Sequence, residues 1–95
     1  MRVEWRPMAL SDRAAIMDHI GADNPASALE LDDEFVAKAD QAAQRPTLYK
    51  PGRVAGTREI VVRPSYVMVY SVDKAANALA VLRVLNAAQK WPPGR

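Results

Sequence analysis

The side chains best suited to chemistry in this 95-residue chain are cations set into apolar surroundings. Arg83 interrupts the otherwise apolar run Leu79-Ala80-Val81-Leu82-Arg83-Val84-Leu85, where a charge is costly unless it is paired or faces an open groove. It either pairs with Glu59 on a neighbouring strand or presents a guanidinium suited to bidentate contact with a carboxylate or phosphate. Arg58 and Arg63 bracket a second apolar run, Glu59 to Val62, and Lys50 and Arg53 lie just ahead of it. Glu59 could act as a base, but beside Arg58 it more simply pairs across strands. Trp91, among prolines, either staples the sheet or stands out as an anchor.

Proton-transfer and metal chemistry are poorly provided for. The single histidine, His19, follows a helical pattern and reads as a partly buried helix residue, with no catalytic partner in sequence. Ser11, Ser27, Ser65 and Ser71 have no base nearby. There is no cysteine, no metal-spaced cluster and no glycine-rich phosphate loop, so neither a metal nor a cofactor is expected. Arg53, Arg58, Arg63, Arg83 and Trp91 therefore read as a partner-binding set.

These residues must be positioned by a small scaffold. The length suits one domain over residues 1–95, and 49% hydrophobic with 25% charged residues is ordinary for a globular protein. Charge is divided: residues 1–45 hold five bases against nine acids, and residues 46–95 hold eight bases against two. The acidic half reads as a solvated outer surface and the basic half as a binding surface. The N-terminus lacks the apolar stretch of a signal peptide and no segment approaches a membrane span, so a cytoplasmic protein without membrane partners is expected.

Val3-Glu4-Trp5 alternates as a short first strand that Pro7 stops, and a helix follows from about Met8 to Ile20, with Gly21 suited to end it. Asn24-Pro25 is a helix start, because Asn24 can accept from a free backbone N–H and Pro25 has none to lose. The second helix runs to about Gln44 on the stripe Ala28, Leu31, Phe35 and Ala39, widened by Val36 and Ala43, and its short link to the first forces an antiparallel hairpin. Residues 46–57 form a connector rich in proline, glycine and base. Strands are expected at 58–62, 66–72 and 79–85, the last apolar on both faces and so interior to the sheet, with a tail from Asn86 to Arg95. The order is β-α-α-β-β-β, an α+β fold with a helical hairpin on a small antiparallel sheet.

Gly52 to Val62, Tyr66-Val67-Met68-Val69-Tyr70, Val81 to Leu85, Gln89-Lys90-Trp91-Pro92 and Asp23-Asn24-Pro25-Ala26 together resemble the RelE/ParE superfamily of bacterial toxins over nearly the whole chain. The resemblance implies the toxin of a type II toxin–antitoxin module, of the plasmid stabilisation or addiction kind. Its partner would be an antitoxin segment that folds on binding, and operator DNA would be reached only through that complex. RelE-type members cut mRNA on the ribosome, whereas ParE-type members share the fold and poison DNA gyrase. Against the RelE pattern, Arg58 keeps a basic position, but Ile60 and Val67 replace two others. Asn86 and Ala87 stand where bases or histidine are expected, and Lys90, Trp91, Pro92 and Pro93 offer no catalytic tyrosine. Asparagine exchanges no proton near neutral pH. A non-catalytic gyrase inhibitor is thus the leading expectation. An mRNA endonuclease with a rearranged site at Lys50, Arg53, Arg58 and Arg83 is the alternative, followed by a degenerate toxin acting mainly as antitoxin partner and co-repressor.

Overall fold

The computed structural model describes residues 1–92; the end of the expected tail, 93–95, lies outside the described residues. The elements are β1 (Arg2–Trp5), α1 (Pro7–Gly21), α2 (Pro25–Gln44), β2 (Arg58–Val62), β3 (Tyr66–Asp73) and β4 (Ala78–Asn86). The expected order and the bounds of α2 and β2 are observed, and β3 and β4 extend one residue beyond their expected ends.

Local chemistry accounts for the boundaries. Pro7 opens α1 at its first turn, where a missing N–H costs nothing. The Asn24 side chain accepts from the Ser27 N–H at 3.1 Å, as its type and place before Pro25 imply. Gly21 differs from expectation: it is the last residue of α1, and a Cβ there would lie 3.6 Å from that of Ala28. That is ordinary van der Waals distance, and Gly21 supplies no left-handed stop. At the β2–β3 turn the left-handed residue is Arg63, with φ 62°.

The sheet order is β1-β4-β3-β2. β2, β3 and β4 are antiparallel neighbours, as expected, while β1 joins β4 in parallel, making the sheet mixed. A parallel pair needs a long crossover, and here the two helices and two strands supply it. β4 thereby becomes an interior strand, which explains why it is apolar on both faces.

One face of the sheet packs on the hairpin. Ile60, Val62, Met68, Tyr70, Leu79, Val81 and Val84 meet Leu31, Phe35, Ala39 and Ala42, and Phe35 stands edge-on to Tyr66 with centroids 5.7 Å apart. The alanine-rich stripe of α2 permits close approach, and burying Phe35 alone contributes about 2–3 kcal/mol. Tyr70, wholly buried, donates its hydroxyl to the Pro46 carbonyl and so anchors the chain as it leaves α2.

Burial raises the Tyr70 pKa, and the positive charge of Arg58 opposes that rise only in part. The unfolded tyrosine titrates near 10, so this contribution to stability is complete below about pH 10 and is lost as pH rises through the higher folded value. Urea unfolding between pH 9 and 11.5 should show stability falling with pH. Tyr70→Phe should flatten that fall and cost about 1 kcal/mol at pH 7 through the lost hydrogen bond.

Candidate functional site

Arg83 owes its position to where β1 stops. The last ladder contact on that side of β4 is the Arg6 N–H to the Val81 carbonyl at 3.0 Å, after which the chain enters α1. Beyond Val81 the edge of β4 has no strand beside it, and Asp12 of α1 fills the gap. Its Oδ2 accepts from the Val84 N–H at 2.9 Å and from Arg83 Nε at 2.8 Å, while Oδ1 accepts from Arg83 Nη2 at 3.0 Å. Both side chains are largely buried, at 13% and 17% exposed. The hydrogen bond to Asp12 raises the Arg83 pKa further above its ordinary value, against the opposing effect of burial. Trp91 closes the other side, with its ring centroid 5.3 Å from the guanidinium carbon.

The partner of Arg83 is thus Asp12 and not Glu59. The register places Glu59 opposite Val69, and Val69 opposite Arg83, so β3 sets their backbones two strand spacings apart, roughly 10 Å. Glu59 is instead buried under the connector, accepting from the Arg53 N–H at 2.8 Å and lying 3.4 Å from Arg53 Nε. The connector returns along β2 through the Gly52 N–H to the Thr57 carbonyl at 2.8 Å and the Glu59 N–H to the Lys50 carbonyl at 3.2 Å. A Cβ at Gly52 would fall on Thr57 Oγ1, so only glycine permits this approach.

The predicted cations do not form one cluster. Alternation from the register puts Glu59, Val61, Val69 and Arg83 on the face away from the helices, and Arg58, paired with Tyr70, on the helix side. Arg53 and Lys90 share a groove of about 500 Å³ with Trp91 and Pro92. Lys50 is exposed beside β2. Arg58 turns to the carbonyls of Thr47 and Tyr49, and Arg63 pairs with Glu34 of α2 at 2.7 Å. Trp91 is half-buried, and its Nε1–H is enclosed without an acceptor.

The acidic hairpin is more than a solvated exterior. Asp12 holds Arg83, Asp32 holds Arg13 in a two-pronged pair at 2.8 Å, and Glu34 holds Arg63. Arg13 also lies 4.3 Å from the Trp5 ring centroid. Asp12 is the site residue that sequence reasoning missed, because helical periodicity assigns it to an outward face and no local pattern signals an exposed strand edge nearby. His19 is exposed, not partly buried, and lines a cleft with Asp12, Tyr66, Asn86 and Gln89. Among the described residues no cluster of His, Asp and Glu could hold a metal ion. The arrangement offers oxyanion recognition by Arg53 and Lys90 beside an aromatic ring, with the Glu59 carboxylate already set against Arg53.

A family profile described as the ParE toxin of the type II toxin–antitoxin system, parDE, matches residues 3–91. The chain belongs to that ParE toxin family. The Sinorhizobium fredii protein Y4kP, named as a candidate toxin, is 29% identical over 92 residues, covering 96% of this chain and 93% of its own. Among solved structures, the chromosomal ParDE system of P. aeruginosa superposes with TM-score 0.78 at 21% identity, over 90% of this chain and 95% of that one. The intact E. coli RelBE toxin–antitoxin complex gives TM-score 0.67 at 16% identity, over 93% of this chain and 98% of that one. These two likenesses concern the fold. This ParE-family chain is the toxin of a type II system, and among its described residues no helix is long and apolar enough to cross a membrane.

Asp12→Ala should leave the Arg83 guanidinium and the Val84 N–H without their acceptor in a largely buried setting. A loss of about 3 kcal/mol in urea unfolding is expected, against a clearly smaller loss for Asp12→Asn, which keeps one acceptor oxygen.

Proposed function

We propose that this ParE-family toxin inhibits DNA gyrase without catalysing a reaction of its own, and that a cognate antitoxin neutralises it. The observation that carries this reading is the division of the four cations an endonuclease site would need. The register puts Arg83 on one face of the sheet and Arg58 on the other, Lys50 and Arg53 lie in the connector with Arg53 against Glu59, and Arg83 is already held by both oxygens of Asp12. A scissile phosphate needs cations converging on one point together with an acid or base at the reacting hydroxyl. His19 lines a different cleft from Arg53, and Asn86 and Ala87 carry no titratable proton near neutral pH.

What remains on the outer face suits macromolecular binding. Val61 of β2 is 54% exposed, and Arg53, Lys90, Trp91 and Pro92 line a groove. Cations beside an indole and a proline are the composition of an interface anchor. Operator DNA would be contacted through the antitoxin in the joint complex.

Purified toxin should inhibit gyrase supercoiling and trap cleaved DNA, and Arg53→Ala should weaken that inhibition about tenfold, the loss of one charge-assisted contact. Undiminished supercoiling at high molar excess would reject the proposal. Codon-periodic cuts in primer extension on mRNA from induced cells would establish the endonuclease reading in its place.

A further inference from the structure

The stretch after β4 is placed by a side-chain stack and not by a ladder. Hydrogen bonds follow the backbone only as far as Gln89. The Ala87 N–H donates to the Ser65 carbonyl at 2.7 Å, the Ala88 N–H to Asn86 Oδ1 at 2.9 Å and the Gln89 N–H to the Asn86 carbonyl at 2.9 Å. Among the described residues no backbone–backbone hydrogen bond reaches Lys90, Trp91 or Pro92. The Trp91 ring, half-buried, instead meets the Arg83 guanidinium at 5.3 Å, within the reach of a cation–π contact. Its Nε1–H has no acceptor, so the indole is located by its ring face and its burial.

Arg83 is suited to hold that ring and unsuited to meet a target. Its Nε and Nη2 are both engaged by Asp12, and only 13% of its side chain is exposed. A guanidinium pinned along one edge by a carboxylate has a fixed plane, and a fixed plane is what an aromatic ring can stack on; lysine offers the charge without the plane. Contacts thus run from α1 through Asp12 to Arg83, from Arg83 to Trp91, and along the chain to Lys90, which lines one groove with Arg53. Lys90 is exposed and outside any ion pair among the described residues, while Arg53 is held from its own side by Glu59.

We infer that Arg83 is a positioning residue of the toxin: it touches no target, and acts through the Trp91 ring to set Lys90 in the groove that Arg53 lines. This deepens the gyrase reading and rests on it for the identity of the target.

The test compares purified Trp91→Ala, Trp91→Phe, Lys90→Ala and the double variant Trp91→Ala/Lys90→Ala in gyrase supercoiling. Each single alanine variant should inhibit about tenfold less well, the scale of one lost interface contact. The double variant should be no weaker than either, because a residue that acts through Lys90 adds nothing once that side chain is gone. Trp91→Phe should recover most of what Trp91→Ala loses, since a ring without the N–H still stacks. Additive losses in the double variant would overturn the inference by making Trp91 itself the contact, and so would Trp91→Phe as weak as Trp91→Ala. A second measurement needs no activity. In Arg83→Lys, which keeps a cation for Asp12, the indole N–H resonance of Trp91 and the amide resonance of Lys90 should both move, and unmoved resonances would overturn the inference. Loss of the ring in Trp91→Ala should shift the Arg83 Nε–H resonance, which keeps the test decisive if Arg83→Lys folds poorly. Wild-type toxin that leaves supercoiling untouched would sink the gyrase reading alone; the same variants are then ranked by growth arrest on induction without antitoxin, with the same order expected.

Discussion

The carboxylate of Asp12 is the contact on which the arrangement of this toxin turns. β1 has four residues and β4 has nine, so a single parallel partner cannot cover the whole edge of β4. A strand interior to a sheet cannot leave a buried N–H without an acceptor, and Asp12 supplies one to Val84. By taking Arg83 on the same two oxygens it also neutralises the one charge in an apolar strand. The hairpin is thereby tied to the sheet by a polar contact as well as by the core around Phe35, and Trp91 is brought over the guanidinium at the far side.

The charge division takes its meaning from these contacts. The hairpin's Asp12 and Glu34 are consumed by Arg83 and Arg63, two of the basic half's own arginines. Arg53 takes Glu59, so among the described residues of the basic half the cations outside any ion pair are Lys50, Arg58, Lys74 and Lys90. Subtracting the internal pairs leaves the unpaired cations of the basic half in separate places, Arg58 and Lys74 lining one cleft and Lys90 another.

Much was legible from residue types and spacing. Asn24-Pro25 announces the start of α2 because both residues act within one helical turn. The stripe through Ala28, Leu31, Phe35 and Ala39 declares its buried face, because helical geometry is local. The double-sided apolarity of Leu79 to Leu85 places β4 inside the sheet, since any interior strand must be covered on both faces. The same reasoning misplaced Gly21 by one position and gave it a left-handed stop, because spacing alone does not set the backbone angle at which a helix ends.

By itself, then, the amino-acid order determined the six elements, their sequence, the buried stripe of α2 and the absence of an obvious acid–base pair, because each depends on periodicity or on composition. Tertiary structure alone decided that β1 runs parallel to β4, that Arg83 meets Asp12 across 71 positions rather than Glu59, and that Arg58 lies on the opposite face of the sheet from Arg83. The reason is register. Which residues share a row, a face or an open edge depends on how distant strands align, and one intervening strand sets two backbones about 10 Å apart.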